Sequence, residues 1–152
     1  MKPRPNKSRL LRWAPDFWMR TRLADGTGGR SLYLSFDDGP NPEHTPPLLD
    51  LLDAHGAKAS FYLIGEQIER YPDLARRIVE AGHSLGNHSY SHPHFEQLPL
   101  AAQFEEIRRT DQLLSAIDGR PRHMFRPPRG VLPLPMLLRC LRERRRICLW
   151  SY

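Results

Sequence analysis

Apolar and polar positions along this chain alternate between two rhythms. Ser31-Leu-Tyr-Leu-Ser-Phe36 is a short apolar run that stops at Asp37-Asp38-Gly39-Pro40, a turn-forming sequence, and it reads as a buried strand. Residues 43–55 place Leu48, Leu49, Leu51 and Leu52 on one helical face. Lys58 to Ile64 predicts a second strand. Tyr71 to Ala81 predicts a helix, with Pro72 near its start and Gly82 just past its end. His83 to Asn87 reads as a short strand. Leu100 to Ile117 is a long amphipathic helix that offers Phe104, Ile107, Leu113, Leu114 and Ile117 for burial. His123 to Phe125 predicts a strand, Leu134 to Arg142 a helix, and Arg146 to Trp150 a last strand.

Strands that alternate with helices in this way pair in parallel through helical crossovers, so the chain is of the α/β class with about five strands. In barrels built on that plan, chemistry gathers at the C-terminal ends of the strands. The polar clusters here fall at those ends: Asp37-Asp38 after the first strand, His88 to His92 after the third, and Arg126 after the fourth.

Composition changes this picture little. The 152 residues, 39% hydrophobic and 26% charged, suit one globular domain with its own core. The formal charge of +6 invites a nucleic-acid reading, but residues 1–22 hold seven Lys/Arg against Asp16 alone, and the rest of the chain balances. Arg139, Arg142 and Arg144 to Arg146 form a second basic cluster. No nucleic-acid recognition motif or aromatic platform accompanies either, so nucleic acid is not an expected partner. The first segment also carries Leu10, Leu11, Trp13, Phe17, Trp18 and Met19. It is a terminus or a packed helix on the plain reading, and a peripheral contact for an anionic membrane on the other. No apolar run is long enough for a signal-peptide core or a membrane span, which leaves a cytoplasmic or membrane-peripheral location as the expectation. Cys140 and Cys148 lack CxxC spacing and are expected as buried free thiols, with a structural disulfide as the lesser alternative.

Three clusters carry candidate chemistry. Asp37 and Asp38 leave a strand as neighbours, so one carboxylate is free to bind a metal while the other faces a reacting water; alone, the pair also reads as a solvated Asp-Gly-Pro turn. His88 and His92, four apart, would share one side of a helical turn and suit two metal ligands; alone, they also read as a surface cluster that includes His94. Two His and one carboxylate leave positions open for water and substrate. Phe125-Arg-Pro-Pro-Arg-Gly130 puts Arg126 at a strand end, where its planar donors suit a carboxylate, or else it is a basic loop. His94 is expected outside the ligand set, and His44, His55, His83 and His123 as structural.

Together these clusters resemble the polysaccharide deacetylases of the NodB-homology type, carbohydrate esterase family four. Ser35-Phe-Asp-Asp-Gly-Pro40 is similar to that family's first motif, in which Thr normally stands at the Ser35 position. His88-Ser-Tyr-Ser-His92 is similar to the second, and Arg126-Pro-Pro-Arg-Gly130 to the third. The resemblance runs from about Ser31 to Tyr152. It implies a distorted, incomplete (β/α) barrel over residues 31–152, behind a basic extension over residues 1–30. It also implies a zinc or other divalent ion, such as cobalt, on Asp38, His88 and His92. Asp37 would be the general base, oriented by Arg126, and the backbone N–H of Arg129 would help hold the oxyanion. The implied reaction is hydrolysis of acetyl groups on an N-acetylated polysaccharide or glycolipid, with O-acetyl groups as the lesser alternative.

Two departures stand out. The Arg129 position is usually aromatic in the family. The chain also stops before the segments that would supply an acidic partner for Arg126 and a general-acid histidine, so it is expected to behave as a fragment with an incomplete barrel. The alternative reading is accordingly a silent metal- or carbohydrate-binding remnant.

Overall fold

The computed structural model describes residues 33–149, together with the backbone of Met19 and Arg20. Most of the basic segment 1–22, the stretch Gly26–Gly29, the boundary near residue 30, the start of the first expected strand and Trp150–Tyr152 lie outside the described residues.

Among the described residues all strand pairing is parallel. β1 (Met19–Arg20) pairs with a strand near the other end of the chain, β5 (Ile147–Cys148). β2 (Leu34–Gly39), β3 (Ala59–Leu63) and β4 (Ser84–Asn87) form a sheet in that order. Phe125 joins the two sheets as a single bridging residue. Asn87 N–H donates to Met124 O at 2.8 Å, and Cys148 N–H donates to Phe125 O at 2.9 Å. The strand expected at His123–Phe125 is thus one residue of pairing. Pro127 and Pro128 have no N–H, so the ladder stops at Arg126. The strand expected over Arg146–Trp150 is likewise short, at Ile147–Cys148.

Among the described residues, five helices pack on the strands: α1 (Thr45–Ala54), α2 (Gly65–Arg70), α3 (Pro72–Glu80), α4 (Leu100–Asp118) and α5 (Leu134–Arg142). Four follow the sequence reading to within two residues at either end. α2 is the addition; six residues are too few to show a 3.6-residue period. Gly119 closes α4 at φ 74°, a left-handed cap that glycine adopts without strain.

The core lies in two clusters. One gathers Leu49 and Leu52 of α1, Phe61 and Leu63 of β3, Ile68 of α2, Ile78 of α3, and Leu114. The other gathers Phe95, Phe125, Met136, Cys140, Ile147 and Ile107. Ile107 and Leu114 are two turns apart on one face of α4, so that helix ties both clusters together. The strand ends near β4 are therefore rigidly mounted, and the polar clusters sit there. No helix among the described residues is long and apolar enough to cross a membrane.

Candidate active site

The two aspartates are separated by a backbone irregularity. Asp37 pairs with Tyr62 and Gly39 with Leu63, which leaves Asp38 as an extra residue at φ 66°. Such a bulge turns neighbouring side chains in different directions. Asp37 Oδ1 accepts a hydrogen bond from Arg126 Nη1 at 2.6 Å. Asp38 turns the other way, and its Oδ1 lies 3.4 Å from His88 Nε2 and 3.6 Å from His92 Nε2. One ligand atom from each of Asp38, His88 and His92 lies within 4.8 Å of the other two.

His88 is fixed by the sheet. Its N–H donates to Leu63 O at 3.0 Å, and its ring Nδ1–H donates to Arg126 O at 2.8 Å. The side chain is 3% exposed. Burial drives its pKa below the ordinary histidine value, against the opposing pull of Asp37, the Arg126 carbonyl and Asp38. The neutral ring then has its lone pair on Nε2, aimed at Asp38.

His92 arrives by a route the spacing did not predict. Residues 88–92 form an irregular loop rather than a helical turn, with Ser89 at φ 69° and His92 at φ 54°. The loop N–H groups go to side-chain oxygens instead of helical carbonyls. Ser89 donates to Asn87 Oδ1, Tyr90 and Ser91 donate to Glu106 Oε2, and His92 donates to Ser89 Oγ. The two imidazoles still meet, with ring centroids 5.1 Å apart. Five described non-glycine residues have positive φ, and Asp38, Ser89, His92 and Arg129 among them belong to the three motifs. Strain of this kind persists where surrounding contacts over-determine the backbone.

Arg126 is 4% exposed and holds several elements together. Nη1 also donates to Ser35 Oγ at 3.0 Å, Nη2 donates to Cys148 Sγ at 3.3 Å, and the guanidinium lies 3.9 Å from the Tyr62 ring centroid. Ser35 lies within a recognised motif, but Tyr62, Cys148 and Glu106 were missed. No local spacing marks them; Tyr62 lies at the strand pairing position opposite Asp37. Both cysteines are free, as expected, but only Cys140 is buried; Cys148 is half-buried.

Arg129 sits at φ 55° in the turn Pro128–Gly130, and its guanidinium contacts His94 Nε2. His94 is outside the triad, and its Nδ1 pairs with Glu96 at 3.0 Å. His83 and His123 are buried, His83 accepting from Ala59 N–H and His123 bonded to Asp118. His44 precedes α1 and His55 follows it. Behind the site, Asn87 Nδ2 donates to Asp111 Oδ1 at 2.8 Å, and Asp111 pairs with Arg145 at 2.7 Å.

The triad fits a divalent ion. A carboxylate oxygen and the lone pair of a neutral imidazole repel across 3.4 Å unless a cation lies between them. A tetrahedral ion bound at about 2.0–2.1 Å spaces its ligand atoms about 3.3–3.4 Å apart. The Nδ1–H bond from His88 to a backbone carbonyl is the outer contact that metal-binding histidines commonly make.

Comparison with known proteins gives the family. Residues 24–139 match the polysaccharide deacetylase family. The chain is 36% identical over 121 residues to a peptidoglycan-N-acetylglucosamine deacetylase of Bacillus cereus, covering 78% of this chain and 44% of that protein. It is 37% identical over 124 residues to a chitooligosaccharide deacetylase of Bradyrhizobium, covering 80% and 56%. It thus spans about half the length of these curated relatives. The crystal structure of a peptidoglycan N-acetylglucosamine deacetylase bound to an N-oxidanyl-benzamide superposes with a TM-score of 0.76 at 36% identity, covering 78% of this chain and 56% of that one.

Proposed function

Because the chain belongs to the polysaccharide deacetylase family, we propose that it hydrolyses the acetamide of an N-acetylated amino-sugar polymer of the peptidoglycan or chito-oligosaccharide kind. The observation that carries this reading is the convergence of Asp38, His88 and His92 beside the Asp37–Arg126 pair. Asp38, His88 and His92 would hold a divalent ion, zinc or cobalt. When bound, that ion polarises the acetyl carbonyl and lowers the pKa of water.

The chain's own groups do the rest. Asp37 takes the proton from the attacking water. Arg126 keeps Asp37 in place with a charge-assisted bond, and Ser35, Cys148 and Tyr62 keep Arg126 in place. The backbone N–H of Arg129 donates to the oxygen that becomes negative as the carbonyl carbon turns tetrahedral. Asp37 then passes that proton to the amide nitrogen, and breaking the C–N bond yields acetate and a free amine. The parallel strand ends that carry these groups suit one arc of a distorted (β/α) barrel. The basic extension over residues 1–30, with its aromatic side chains in the first 22, suits contact with an anionic membrane surface.

The test is acetate release from an acetylated chito-oligosaccharide, with added zinc or cobalt and again after chelation. Metal-dependent release that Asp37→Asn abolishes supports the reading. Metal binding without release leaves the alternative, a silent metal-binding remnant. Release from O-acetylated sugars alone moves the substrate class.

A further inference from the structure

The loop that carries His92 has little structure of its own. Its residues are polar and two of them are left-handed, yet its four N–H groups from Ser89 to His92 all reach side-chain oxygens. Two of the four reach one carboxylate oxygen on another element. Glu106 of α4 accepts Tyr90 N–H at 2.9 Å and Ser91 N–H at 2.8 Å on Oε2, and accepts Ser91 Oγ–H at 3.0 Å on Oε1. On the loop's other side, the first N–H groups of α2 close its carbonyls: Gly65 donates to Ser89 O and Glu66 to Tyr90 O. Tyr90 and Ser91 lie midway between the two histidines. A change of φ or ψ there alters the separation of the imidazoles. His88 is independently fixed by Leu63 O and Arg126 O, so the freedom that remains belongs to His92.

We propose that Glu106 is a positioning residue for the metal centre: by clamping Tyr90 and Ser91 to α4, it sets where His92 presents Nε2 to Asp38 and His88. α4 is a suitable mount. Ile107, the next residue, is fully buried, and its carbonyl and Asp111 both accept from Asn87, which precedes the first ligand histidine. One helix thus anchors the ligand segment at its base through Asn87 and at its middle through Glu106. The inference rests on the metal reading above, with Glu106 acting through backbone geometry rather than by touching the ion.

The experiment measures cobalt(II) affinity by visible absorption on the full chain and on Glu106→Gln, Glu106→Asp and Glu106→Ala. Gln has the same reach; its amide oxygen accepts both N–H groups and its amide NH2 donates to Ser91 Oγ. It is expected to stay within about threefold of wild type, whereas loss of outer contacts of this kind weakens metal binding about 10–100-fold. Asp keeps the charge but falls one methylene short, so Asp and Ala are both expected in that weakened range. Asp carries the test if Ala fails to fold. Equal affinity in wild type, Asp and Ala overturns the inference while leaving the metal reading standing. A loss in Gln as large as in Ala also overturns it, because charge and not positioning would then be responsible. Failure of the wild-type chain to bind cobalt overturns both.

Discussion

Asp37 and Arg126 are 89 residues apart in sequence and meet at 2.6 Å, with the Arg126 side chain 4% exposed and that of Asp37 27% exposed. A buried cation is therefore committed to a carboxylate that keeps one side open to water. The neighbouring carboxylate, Asp38, has a side chain 67% exposed and faces the histidines instead. Adjacent carboxylates thus face different partners because one bulge separates them.

Asp37→Asn is expected to retain metal and lose turnover, by about 100-fold or more. Asp38→Asn is expected to lose metal, since the amide cannot supply the ligand charge. Metal content and acetate release measured on both variants decide the matter. Equal metal loss in both would sink the division of labour.

Arg126→Lys is expected to lower kcat by about 100-fold while metal affinity stays close to wild type. A lysine ammonium is a point charge and cannot serve Ser35, Asp37 and Cys148 from fixed directions while stacking on Tyr62. Small displacements of a catalytic group carry penalties of that order. Steady-state kinetics beside a cobalt titration provide the check.

Gly86 lies directly under the Tyr62 ring, and a methyl group there would overlap the ring carbons. Gly86→Ala is expected to displace Tyr62 from Arg126 and to destabilise the fold by about 1–3 kcal/mol. Urea unfolding should show a lower midpoint with an unchanged slope. An unchanged midpoint would mean that the ring relaxes without strain.

His123 is buried with its Nε2 at 2.9 Å from Asp118 and its Nδ1 at 3.8 Å from Asp111. Burial lowers its pKa, but the two carboxylates together outweigh burial and raise it above the ordinary value. Below about pH 6.5 both folded and unfolded chains carry the proton, and the pair's stabilisation is fully present. As pH rises from there through the folded-state pKa, the folded chain gives up a proton the unfolded chain has already lost, and the stabilisation disappears. Asp118→Asn is expected to cost more stability at pH 5.5 than at pH 9, read from denaturant unfolding at each pH. A difference that grows with pH would contradict the sign.

The sequence by itself determined the alternation of parallel strands and helices, because burial on one face imposes a period that local residues must obey. It also determined which residue types stand at the strand ends, and hence the identities of Asp37, Asp38, His88, His92 and Arg126 as candidates. Tertiary structure decided how they meet. The bulge that separates Asp37 from Asp38 depends on pairing with β3. The loop that brings His92 to His88 is not the helical turn their spacing suggested, because Asn87 and Glu106 capture the N–H groups a helix would use. Tyr62, Cys148 and Glu106 act on residues 15 to 64 positions away. No local period encodes such contacts; they exist only once two buried clusters have fixed the helices and strands against one another.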